Sequence, residues 1–79
     1  MKPSEYLIIY ERTATGWSAY APDLPGCVAA GRTRRQTERL MSDAIVMHVE
    51  AMIEDGDPIP RPTTTSGTVV VSVRRSSPE

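Results

Sequence analysis

The groups in this 79-residue chain with the right types for chemistry are ten carboxylates, one thiol and one imidazole. Two-metal hydrolysis needs several carboxylates converging within a few ångströms of one another. Glu5 and Glu11 flank the first apolar run, Asp23 stands in a proline-rich turn, and the other acids fall at or beyond Glu38. No predicted strand carries an acid in its interior at the middle of the sheet, so the constellation a nuclease needs is missing and no catalytic residue is assigned. Cys27 follows Gly26 with no base nearby in sequence, and it reads as a small core hydrophobe rather than a nucleophile. A single Cys excludes an intrachain disulfide, and with His48 alone it supplies too few ligands for a structural zinc site. The sequence therefore predicts no metal and no cofactor.

The most ordered junction available to position side chains is Ala21-Pro22-Asp23-Leu24-Pro25-Gly26-Cys27, with Gly31 and Thr33 just after it. Its prolines and Gly26 fix a rigid turn around Leu24. Asp23 is expected to accept backbone amides within that turn, as Asp commonly does, with partner contact as the alternative. Upstream, residues 5–11 and 17–21 read as two strands joined by the polar, Gly-containing link 13–16. Residues 27–31 form a third strand of small residues. Thr33 and Gln36 make a capping-box pattern, helical spacing runs to about Asp55, and Gly56 is placed to end it. Leu40, Met41, Ala44, Ile45, Met47, His48, Ala51 and Met52 share one broad face that is expected to cover a sheet, with His48 satisfied and half-buried there and the methionines filling gaps.

Residues 58–62, rich in proline, are expected to run extended. The β-branched run 68–73 reads as a fourth strand buried on both faces, and 74–79 as a disordered tail. The order β-β-β-α-β with a right-handed crossover predicts an α+β domain over residues 1–73, sheet order 3-2-1-4, one helix packed on one face. With 39% hydrophobic residues, no Phe, one Trp and three Tyr, the core is aliphatic and thin, and association would help to stabilise it. A formal net charge of −1 argues against a general nucleic-acid footprint. No apolar stretch approaches the length of a membrane span and no signal peptide opens the chain, so a soluble cytoplasmic protein is expected.

The turn residues 20–27, then Gly31 and Thr33, then Ala44, Ile45 and His48, and the helix exit Glu54-Asp55-Gly56-Asp57-Pro58-Ile59-Pro60-Arg61-Pro62 together resemble the HicB-like antitoxins of bacterial type II toxin–antitoxin systems. The resemblance spans roughly residues 6–73. It implies a partial RNase H-like fold and a binding role: neutralising, by occlusion, a small basic mRNA-cleaving ribonuclease of the HicA type. Many such antitoxins carry a C-terminal DNA-binding domain, whereas only six residues follow Val73. The chain thus looks like the short, single-domain branch of the family, with no direct nucleic-acid or membrane binding expected. An orphan dimeric regulatory or scaffold domain is the alternative, and a residual RNase H-like nuclease a third.

The helix carries its charges against its dipole: Arg34 and Arg35 at the N-terminal end, Glu54 and Asp55 at the C-terminal end. Solvated scatter explains this as readily as partner binding does. Two details favour a partner. Asp43, Glu50 and Glu54 line one edge, and no Lys or Arg occurs between Arg39 and Arg61, which suits a basic toxin. Val46, Val49 and Ile53 form an apolar strip opposite the core face, which suits an antiparallel, two-fold homodimer or a higher homo-oligomer, pairing through a sheet edge being the alternative.

Overall fold

A computed structural model describes residues 4–74. Three strands, β1 (Ile9–Arg12), β2 (Trp17–Tyr20) and β3 (Val28–Gly31), precede one helix, α1 (Arg34–Asp55). The strands form an antiparallel sheet in the order β1-β2-β3. Thr13 and Gly16 close the first hairpin: the Thr13 amide donates to the Gly16 carbonyl at 2.8 Å, and the Gly16 amide donates to Thr13 Oγ1 at 3.0 Å.

Register decides which side chains meet the helix. Tyr10, Ala19 and Ala29 lie in one cross-strand row, and Ile9, Tyr20 and Val28 in the next. Adjacent rows face opposite sides of a sheet. The Tyr10 row packs under α1 with a core of Ala19, Ala21, Leu24, Cys27 and Met41, flanked by Tyr6, Ile8, Ala44, Ile45 and Val49. The Ile9 row faces away from the helix, with Tyr20 40% and Val28 64% exposed.

The helix begins and ends where its sequence signals stand. Thr33 is the extended N-cap and its Oγ1 accepts from the Gln36 amide at 3.0 Å. Gln36 Oε1 reaches one residue further back than a capping box requires, accepting from the Arg32 amide at 2.7 Å. At the other end Gly56 is left-handed, with φ 72°, and its amide donates to the Ile53 carbonyl. The buried face is narrower and rotated from the predicted one. Thr37 and Met41 are buried, and Ala44, Ile45, His48, Val49 and Met52 are half-buried, whereas Leu40, Met47 and Ala51 are exposed. Thr37 is a polar residue in the core because its hydroxyl is satisfied, donating to the Thr33 carbonyl at 2.8 Å.

The larger correction concerns the fourth strand. Residues 57–74 form no strand, and Val69, Val70, Val71 and Val73 are 84%, 94%, 70% and 77% exposed. Among the described residues the sheet therefore has three strands, and the order 3-2-1-4 is not formed. β-branched propensity is not sufficient: a strand needs a partner edge, and the segment leaves the body before reaching one. The molecule is correspondingly drawn out, 59 × 27 × 18 Å, with a radius of gyration of 16.9 Å against about 12 Å for a compact chain of this length. Of the predicted tail, residues 75–79 lie outside the described residues.

Candidate functional site

The turn after β2 is two β-turns in series. The Leu24 amide donates to the Ala21 carbonyl and the Cys27 amide to the Leu24 carbonyl, each at 3.0 Å, and Ala21 and Cys27 close the loop at 3.3 Å. Each turn has a proline at its second position, Pro22 and Pro25, which presets φ there. The second has Gly26 at its third position with φ 85°, the left-handed value that a type II turn requires. Leu24, between the two, is fully buried. Gly31 serves a different need: a Cβ there would stand 2.7 Å from Thr37 Oγ1, so a side chain would push the first turn of α1 off the sheet.

This turn presents Asp23 outward, but not to its own amides. Its Oδ2 accepts from the backbone amides of Thr63 (3.0 Å) and Thr64 (2.9 Å), and its Oδ1 from their hydroxyls (3.1 and 2.8 Å). The carboxylate thus clasps the chain forty residues on. Prolines leave Pro22 without an amide to offer, and the double turn commits those of Leu24 and Cys27 to carbonyls. Hydrogen bonds from Thr64, backbone first and hydroxyl second, hold the Asp23 carboxyl below its ordinary range. Near this clasp, the Tyr6 hydroxyl donates to the Pro60 carbonyl at 2.6 Å. The sequence reading missed Thr63, Thr64 and Tyr6 as partners, since no local spacing signals a contact so distant in the chain.

An open cleft of about 620 Å³ lies beside the clasp, lined by Glu5, Tyr6, Leu7, Pro62, Thr64 and Thr65 among others. A shallower one, about 320 Å³, lies between Cys27, Val28, Ala44, Met47 and His48. Burial pushes the Cys27 thiol up, which keeps it protonated and unreactive. Among the described residues no group of three or more His, Cys, Asp or Glu is placed to hold a metal ion. Among those same residues no helix is long and apolar enough to cross a membrane.

The helix N-terminus has a local reason for one of its misplaced cations. The Arg34 guanidinium lies 4.4 Å from the Tyr10 ring centroid and 5.8 Å from that of Trp17, and its Nε is 3.2 Å from Glu38 Oε2. Arg12 also covers Trp17, at 5.5 Å. On the helix's outer side, Asp43, Val46, Glu50, Ile53 and Glu54 are all exposed. At 100° per residue they fall within an arc of about 100°, centred opposite the core face. Val49, expected in the same strip, instead turns inward and packs against the core.

Residues 6–71 match the profile of a family described as HicB_like antitoxin of bacterial toxin-antitoxin system. Among characterised and uncharacterised relatives, the chain is 33% identical over 63 residues to "Antitoxin HicB 2" of Photorhabdus laumondii, covering 80% of this chain and 45% of that protein. It is 36% identical over 56 residues to an uncharacterised 14.9 kDa protein of Haemophilus phage HP1, covering 71% of this chain and 42% of that one. The chain thus spans less than half the length of these relatives. In structure it is similar to a chain of a "HicA3 and HicB3 toxin-antitoxin complex", with TM-score 0.66, 33% identity, and coverage of 76% of this chain and 70% of that one.

Proposed function

The chain belongs to the HicB-like antitoxin family, and from that premise we propose that it is a toxin-binding module that occludes a small, basic ribonuclease of the HicA type. The outer strip of α1 carries this reading. Three carboxylates, Asp43, Glu50 and Glu54, run along one side of two exposed apolar side chains, Val46 and Ile53, on the face that the sheet leaves free. Apolar side chains bordered by charged ones are common at protein interfaces. Here the border is acidic, which steers a basic partner and sets its register. With Val49 turned inward, two apolar residues about two turns apart remain. That is a narrow strip for pairing two copies of the helix and a suitable one for a partner that supplies the charge.

The test is binding and inhibition with a purified HicA-type toxin. Adding the chain at equal stoichiometry is expected to abolish RNA cleavage. A Glu50→Lys/Glu54→Lys variant is expected to bind at least tenfold more weakly at low salt and to lose most of the salt dependence. Unchanged affinity and unchanged salt slope would remove the strip from the interface. RNA cleavage that persists with the toxin saturated would refute occlusion.

A further inference from the structure

We propose that residues 68–73 are a strand donor that completes the open β1 edge of a second copy of this chain, forming a strand-exchanged homodimer. Four observations converge on it. The segment Gly67, Thr68, Val69, Val70, Val71, Ser72 and Val73 has neither charge nor proline, the composition of chain that pairs rather than solvates. Its valines alternate onto both faces, Val69, Val71 and Val73 against Val70, as in strands buried on both sides. Yet all four are at least 70% exposed within this molecule, so the burial that the sequence is built for is absent from the single chain.

The acceptor lies close to the donor's point of departure. β1 is paired on one side only, with β2, and its other edge is open. β1 ends in the charged pair Glu11 and Arg12, whereas Tyr6 to Tyr10, which lead into it and begin it, carry no charge and no proline, the usual protections of an exposed strand. The Asp23 clasp fixes Thr63 and Thr64, and the next residues, Thr65 and Ser66, line the cleft shared with Glu5, Tyr6 and Leu7. The arm therefore departs beside the residues that lead into β1, and its valines remain exposed beyond that point.

The occupant follows from where the arm departs. Among the described residues the sheet has two unpaired edges, β1 and β3, and the arm departs beside β1, so two copies can each give their arm to the other's β1 edge by a two-fold exchange. A fourth strand beside β1 places one set of valines on the helix side and the other beside Ile9, extending the exposed row Ile9, Tyr20 and Val28. The proposal stands apart from toxin binding, since it uses the sheet edge and not the outer strip of the helix.

The experiment is light scattering on the full chain, with nuclear Overhauser spectra of a sample mixing isotopically labelled and unlabelled protein. A dimer is expected, with interchain contacts between the methyls of Val69 to Val73 and Ile8 or Ile9. The double variant Val70→Pro/Val71→Pro removes the one amide of this adjacent pair that faces β1 and is expected to halve the mass while helix content is retained. A monomeric wild type, a dimer whose arm contacts are only intrachain, or a dimer mass unmoved by the prolines would each overturn the proposal. So would an arm that becomes protected only on adding toxin.

Discussion

Asp23 shows how much a single carboxylate can organise when its neighbours offer it nothing. Its four accepted hydrogen bonds all come from Thr63 and Thr64, and they favour the ionised form. The folded-state value is thus lowered from the ordinary 3.8, so the contribution to stability is complete above that value and is lost as pH falls through the lower, folded one. The amide resonances of Thr63 and Thr64 are expected to hold constant from neutral pH down through the ordinary aspartate range. They will shift together only below it, with a midpoint under 3.8. In Asp23→Asn, where an amide group replaces one acceptor oxygen, the acid transition is expected to vanish and both amides to exchange faster at neutral pH. The sequence announced this residue by setting it between prolines, but not its partner. Thr63 and Thr64 sit in a polar run, Thr63-Thr64-Thr65-Ser66, with no period or cap to distinguish them. Only the folded path of residues 57–64 past the turn brings them together.

At the scale of elements, the legible parts are those fixed by local chemistry. Thr33 and Gly56 bound the helix because cap geometry is specified within a few residues. Pro22, Pro25 and Gly26 specify the double turn for the same reason. Thr33→Ala is expected to cost about 1 kcal/mol by urea denaturation, with the m-value unchanged, and Thr33→Ser to retain most of it. The helix face was only partly legible. An apolar count over 22 residues draws in Leu40 and Met47, but the side facing the sheet is set by how closely the helix approaches β3 at Gly31. Small residues there, Ala29 and Gly31, let Thr37 and Met41 descend into the core and rotate Met47 out to 69% exposure. Val49 comes inward by the same rotation. The fourth strand failed for the opposite reason. Its residues are right for a strand, but pairing depends on an edge that sequence does not name.

For the whole molecule, thin burial and an unspent arm belong to one account. Among the described residues the buried core comprises five apolar side chains, three of them the small Ala19, Ala21 and Cys27. A domain of this size with so little buried volume has a narrow margin of stability. Four exposed valines on a clasped arm, and a row of Ile9, Tyr20 and Val28 on the sheet's free face, represent apolar surface that self-association would remove from water. If folded copies associate and unfolded ones do not, mass action ties stability to concentration. Over about a hundredfold range of protein concentration the melting temperature of the wild-type chain is expected to rise on the order of 5–10 °C. The clasp and the body are intact in Val70→Pro/Val71→Pro, so that variant is expected to melt at the low-concentration wild-type temperature throughout. A wild-type midpoint independent of concentration would mean that the three-stranded body stands alone, and that its thin core is sufficient without a second copy.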